Sequence, residues 1–183
     1  PDTAEAVYND LLGISDNRRW IEILRGQYAK SVPDQRTQQT IRLIDFQKPA
    51  NNTWAVTNQL YVQSEHSRIP DVVIYVNGIP VVVLEAKVPG KGLKTAYEQI
   101  RQYEAQIPRL FHSNAFNLVT DAHEFAFGAT GADWGWWSRW RDPWPRQADE
   151  FGGEFETGLW SLLEPSRLLD LLAHFIVFET DPD

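Results

Sequence analysis

Two acids and a lysine stand at the ends of the most apolar stretch of the chain. Asp71 opens the segment PDVVIYVNGIPVVVLEAKVPG (residues 70–90), and Glu85-Ala86-Lys87 closes it. Charged groups beside buried strands are costly unless they are paired or bound to something. Side chains two residues apart on a strand share a face, so Glu85 and Lys87 project together. Two carboxylates on one face repel each other, and an oxygen-binding divalent cation relieves that repulsion. Mg2+ suits one or two carboxylates completed by waters and phosphate oxygens. A lysine two residues from such a ligand orients water or stabilises charge on phosphorus. Asp71, Glu85 and Lys87 therefore fit metal-assisted hydrolysis of a phosphodiester. The plainer alternative is that they mark strand exits in water, where acids and lysines are common.

Whether Asp71 joins Glu85 depends on the turn between them. Asn77-Gly78 is a strong hairpin signal. In a two-residue turn Val76 faces Ile79, Asp71 falls opposite Leu84, and the two acids lie on opposite faces. A three-residue loop ending at Gly78 puts Asp71 on the face of Glu85, one pair out of line. A shared carboxylate site thus requires an odd loop or a β-bulge, and Pro80 favours this because it disturbs a tight ladder.

The elements around this hairpin follow from periodicity. Residues 4–32 read as helical, broken at Gly13 and Ser15–Asn17, with Trp20, Ile23, Leu24 and Tyr28 on one stripe. Thr40–Phe46 alternates as a half-buried strand does, and Thr53–Val62 is rich in strand formers. Leu93–Ile107 places Leu93, Ala96, Tyr97, Ile100, Tyr103 and Ile107 on one helical face. Residues 115–121 and 123–129 read as two strands around Asp121. A tryptophan-rich stretch with Gly and Pro breakers follows, and residues 165–179 close as an amphipathic helix with Pro165 near its start. The expectation is one mixed α/β (α+β) domain over residues 1–183, with a central sheet flanked by helices.

Composition narrows the class. The chain has 183 residues, 43% of them hydrophobic, enough for one packed core. No apolar run approaches the ~20 residues of a membrane span, and no signal segment opens the chain, so a cytoplasmic setting is the default. Without cysteine there are no disulfides and no thiolate metal sites. A start at Pro1 and the lack of any Met suggest a piece of a longer protein. The net charge of -8 argues against a simple nucleic-acid coat. That charge is confined to residues 121–183, which carry thirteen acids and four bases; residues 65–120 carry six bases and five acids.

With these residues in place, the sequence resembles a known family. The Pro70-Asp71 and Glu85-Ala86-Lys87 pair on adjoining strands is similar to the PD-(D/E)xK nuclease signature. The wider run from TIRLIDF through NNTWAVTNQLYV, RIPDVVIYVNGIPVVVLEAK and AYEQIRQYEAQIPRLFHSNAFNLVTD resembles the N-terminal nuclease domain of the restriction subunit (HsdR) of type I restriction-modification enzymes. It covers residues 40–121. The family's Gln-x-x-x-Tyr motif falls on Gln99 and Tyr103, one helical turn apart. The resemblance implies a restriction-endonuclease-like fold, with Mg2+ held by Asp71 and Glu85 and with Lys87 catalytic. It implies that Gln99 and Tyr103 position the active site or DNA. It further implies double-stranded DNA as substrate, methyltransferase and specificity subunits as partners, and ATP used only by motor domains further along the same subunit. Residues 89–95, PGKGLKT, lack the spacing of a phosphate loop. Two other readings compete: an inactive nuclease-fold module that docks partners, and a stand-alone nuclease of the same superfamily such as a junction resolvase.

The remaining polar residues carry less. His66, His112, His123 and His174 show no ligand spacing. Lys91, Lys94, Arg101 and Arg109 are candidates for phosphate contacts or a solvated face. Trp134, Trp136, Trp137 and Trp140, set among acids, read as packing anchors or a docking surface rather than base-stacking platforms.

Overall fold

A computed structural model of the chain describes residues 2–31 and 37–179. Helices α1 (Asp2–Leu12) and α2 (Asn17–Leu24) are separated where the sequence breaks, and the Asp16 carboxylate caps α2 by accepting from the Arg19 N–H at 2.6 Å. The helical stripe expected to reach Tyr28 ends earlier. Gly26 takes φ 87°, the chain turns, and β1 (Ala29–Ser31) pairs antiparallel with β2 (Gln38–Thr40). Tyr28 instead donates its hydroxyl to Asp10 Oδ2 at 2.6 Å. Val32, the end of that expected stretch, lies outside the described residues.

The strand expected over Thr40–Phe46 is not formed beyond Thr40. Side chains capture its backbone instead. Asp45 Oδ1 accepts from the N–H groups of Gln47 and Lys48, both at 3.0 Å, while the Asn52 amide bonds both the N–H and the carbonyl of Asp45. Such local bonds compete directly with a ladder.

The central sheet holds β3 (Trp54–Asn58), β4 (Val72–Val76), β5 (Ile79–Ala86), β6 (Phe116–Thr120) and β7 (Phe125–Ala129), in that order. Every pair is antiparallel except β5–β6, which is parallel and joined through α3 (Leu93–Gln106). The strand expected to run to Val62 stops at Asn58, because Gln59 adopts a left-handed φ of 51°.

The hairpin combines a tight turn with a bulge. Asn77 and Gly78 both have positive φ, 51° and 79°, as a two-residue primed turn requires, and Val76 faces Ile79. Tyr75 then faces Pro80, but Ile74 faces Val82, which leaves Val81 as the extra residue. Val81 and Val82, adjacent in sequence, consequently enter the same apolar cluster, whereas Val83 enters the one on the opposite side of the sheet. The bulge is anchored: Pro80 O accepts from Ser113 Oγ, and Val81 O from the Ala115 N–H, both at 2.8 Å.

The sheet is covered on both faces. On one, Ile74, Val82, Leu84, Leu118 and Phe125 pack with α2 and with α4 (Glu154–Leu162) and α5 (Pro165–Asp170), the last running into a single π turn at Leu171–Phe175. On the other, Val73, Val83 and Val119 meet Leu93, Ala96, Ile100 and Tyr103 of α3. Tyr97 lies at the edge of that stripe, against Trp134 and Trp137 with ring centroids 5.3 and 5.4 Å away. Trp140 packs edge-on against Phe127 and donates to Ser161 Oγ at 3.0 Å. These three tryptophans are packing anchors, and Trp136 is 75% exposed. No helix among the described residues is long and apolar enough to cross a membrane.

Glu104 ties α3 to what lies beyond it. Its Oε1 accepts from Asn117 Nδ2 at 3.2 Å and from the Gly131 N–H at 3.0 Å, and its Oε2 from Arg101. Burial pushes its carboxyl above the usual range, against the pull of these donors and of the Arg101 charge. A raised folded pKa makes a contribution that is present below the unfolded value and is lost as pH rises through the folded one. Thermal melts from pH 4 to 8 should therefore show Glu104→Gln gaining on the parent chain as pH rises. A constant difference across that range would contradict the assignment.

Candidate active site

The bulge decides where Glu85 points. Val72 faces Leu84, so continuing the same register by one pair brings Asp71 opposite Glu85. Both lie on the face covered by α3, since Val73 and Val83, two residues inward on their strands, belong to the α3 cluster. Of the two routes open to the sequence, the bulge is the one taken, and the loop itself has two residues rather than three.

Glu85 is 1% exposed. Lys87, the same side of the strand and one residue past its end, donates from Nζ to Glu85 Oε1 at 2.6 Å and also to Gln99 Oε1. Gln99 Nε2 donates to the Tyr103 hydroxyl, which donates to Ile69 O at 3.3 Å. The direction of this chain of bonds is determined. The Lys87 ammonium can only donate, so the Gln99 oxygen faces it, the Gln99 amide nitrogen faces Tyr103, and the Tyr103 hydroxyl accepts there. Burial pushes the Tyr103 phenol up to about 12, with the nearby Glu85 charge acting in the same direction, so the hydroxyl keeps its proton at neutral pH. Of the five residues singled out by sequence, Glu85, Lys87, Gln99 and Tyr103 are joined by hydrogen bonds, and Asp71 lies on the same face in register with Glu85.

Asp71 is held from two sides. Its Oδ2 accepts from the Ala86 N–H at 2.9 Å, and its Oδ1 from Gln59 Nε2 at 2.7 Å. Gln59 was not among the residues read from the sequence. It follows β3 and reaches Asp71 only through the β3–β4 pairing, so neither its type nor its spacing marks it.

The electrostatics leave one group unresolved. Desolvation pushes the Glu85 carboxyl above its ordinary range, the bond from Lys87 pulls it down, and the charge of Asp71 raises it again. The Tyr103 hydroxyl lies near enough to lower it, yet the buried Oε2 accepts no hydrogen bond of ordinary geometry, a costly arrangement for a charged acceptor. Among the described residues no three His, Asp or Glu side chains gather as a ready metal cage. Two carboxylates on one face, one with an orphaned oxygen, nonetheless suit a cation that keeps several waters, as Mg2+ does. Of the other candidates, His66, Lys91, Lys94 and Arg109 are exposed, and Arg101 pairs with Glu104.

A mixed five-stranded sheet flanked by helices, with an acid pair and a lysine at the exit of its central strand, defines a nuclease-like fold. The chain belongs to the family described as the type I restriction enzyme R protein N terminus, whose model matches residues 5–136. It is 34% identical over 149 residues to the type I restriction enzyme HindI endonuclease subunit of Haemophilus influenzae, covering 77% of this chain and 14% of that protein. It is 28% identical over 144 residues to the putative type I restriction enzyme MjaVIIIP endonuclease subunit of Methanocaldococcus jannaschii, with the same shares of each. The chain therefore spans about one-seventh of the length of these relatives.

The hydrogen bonds predict how firmly Lys87 is held. Gln99→Ala should leave the melting temperature within ~3 °C of the parent, because the side chain is only half-buried. It should also release the ammonium. Acetylation of Lys87 under limiting reagent, read by mass spectrometry, is expected to rise several-fold; an unchanged labelling rate would show that Gln99 does not restrain it.

Proposed function

We propose that this chain is the DNA-cleaving part of a type I restriction enzyme endonuclease subunit, hydrolysing phosphodiester bonds of double-stranded DNA with Mg2+. The observation that carries this reading is the convergence of Asp71, Glu85 and Lys87 on one side of the sheet, with a buried carboxylate oxygen of Glu85 left without a partner. The names of the relatives support the same reading.

Asp71 and Glu85 would hold the ion. When bound, it supplies Lewis-acid charge beside the phosphoryl oxygens and acidifies water. The chain's own residues do the rest. Glu85 Oε1 and Gln99 Oε1 each take one proton of the Lys87 ammonium, which leaves a third for a phosphate oxygen or an attacking water. A cation held this way is preorganised towards charge developing on phosphorus and needs little rearrangement during reaction. Tyr103 acts one step further back, through Gln99. In the assembled enzyme the partners would be methyltransferase and specificity subunits, with ATP consumed by motor domains elsewhere in the subunit, in the cytoplasm.

In the assembled enzyme, Lys87→Ala should lower the cleavage rate by about 100-fold or more at every Mg2+ concentration. The Lys87 side chain is mostly buried against the Glu85 carboxylate, so its loss also costs stability, and a thermal melt of the variant shows that the folded protein is being assayed. Cleavage at the parent rate in a Mg2+ titration of this variant would reduce Lys87 to a paired strand end. Omission of divalent cations should abolish cleavage by the parent enzyme, and persistent cleavage in chelator would overturn the metal requirement.

A further inference from the structure

We infer that Gln59 is a positioning residue for Asp71, and through Asp71 for the divalent cation; the inference rests on the functional reading above. Gln59 grips Asp71 twice. Its backbone N–H donates to Asp71 O at 2.8 Å, and its side-chain amide donates to Asp71 Oδ1 at 2.7 Å. The amide makes no other hydrogen bond among the described residues, and Gln59 is exposed, so packing does not account for its placement. Its backbone sits at φ 51°, a region sparsely used by residues other than glycine, asparagine and aspartate. That conformation ends β3 and swings the side chain towards β4.

The consequence for the carboxylate is geometric. With the Ala86 N–H on Oδ2 and the Gln59 amide on Oδ1, each oxygen accepts one neutral donor and keeps a lone pair for a ligand. The plane of the carboxylate is thereby set relative to Glu85 across the strand pair. Without the Gln59 donor, the group is left to pivot about its contact with Ala86. The donor is also uncharged, so it orients the anion without competing with a cation for it. Groups that orient metal-binding carboxylates in this way commonly change metal affinity or activity by 10–100-fold when removed.

The test uses Gln59→Ala and Gln59→Met; the second keeps an unbranched stem of similar length and lacks the donor. Mn2+ binding to the chain is measured by calorimetry, alongside the metal-free melting temperature and, in the assembled enzyme, the Mg2+ dependence of cleavage. The expected result for both variants is a roughly tenfold weaker Mn2+ affinity, a melting temperature within ~3 °C of the parent, and cleavage that recovers towards the parent rate as Mg2+ is raised. Parent-like Mn2+ affinity in Gln59→Met overturns the role of the amide. A fall in melting temperature well beyond that range, in parallel with the lost affinity, would make Gln59 structural and also overturns it. A parent chain that binds no Mn2+ overturns the metal reading itself, and with it any role for Gln59, which separates the two failures.

Discussion

One extra residue in β5 determines on which side of the sheet the acid of this site lies. Alternation along an uninterrupted strand paired through the Asn77-Gly78 turn would send Glu85 into the apolar layer beneath α2, α4 and α5, and Val83 with it. A lone carboxylate there would cost several kcal/mol. Val81 absorbs one step of the alternation, so that Val81 and Val82 both feed that layer and Glu85 emerges under α3. Ser113 and Ala115, just before β6, hold the carbonyls of Pro80 and Val81. The bulge is therefore pinned by the strand that runs parallel to β5, and Pro80 has no N–H to lose from the ladder.

From that constraint the rest of the site follows. Once Glu85 faces α3, the helix that covers the sheet also supplies the groups that hold the lysine. Leu93, Ala96, Ile100 and Tyr103 are buried against the strands, and the hydroxyl of Tyr103 then fixes the amide of Gln99 one turn earlier. The same side chain thus packs in the core with its ring and bonds Gln99 with its oxygen. The other wall of the site comes from β3 and β4, where Asp71 is oriented by groups on both neighbouring strands.

Much of this was legible in the sequence because the signals were local. The turn dipeptide Asn77-Gly78, the 3.6-residue stripe of α3 and the apolar runs of β4, β5, β6 and β7 each depend on a few adjacent residues. The register of the hairpin was legible only as a choice, since a bulge leaves no composition mark beyond Pro80. Some elements were misread in their extent: the helical stripe to Tyr28, the strand to Val62 and the helix over 165–179 all end early, at Leu24, Asn58 and Phe175. Thr40–Phe46 has strand alternation, but Asp45 and Asn52 bond its backbone. Helix α4 was not read at all: it carries Gly158, which lowers helical propensity, yet a Cβ at that position would overlap the ring of Phe125 on β7. Gln59 escaped because its meaning lies in a contact made across strands.

The central claim is that Asp71 and Glu85 together form a divalent-cation site, and diffraction from crystals soaked in Mn2+, with anomalous data, tests it most directly. The account predicts an anomalous peak between the two carboxylates, about 2.0–2.3 Å from an oxygen of each and completed by waters, with Lys87 beside it. Manganese bound elsewhere, with Asp71 and Glu85 both unliganded at saturating metal, would contradict it.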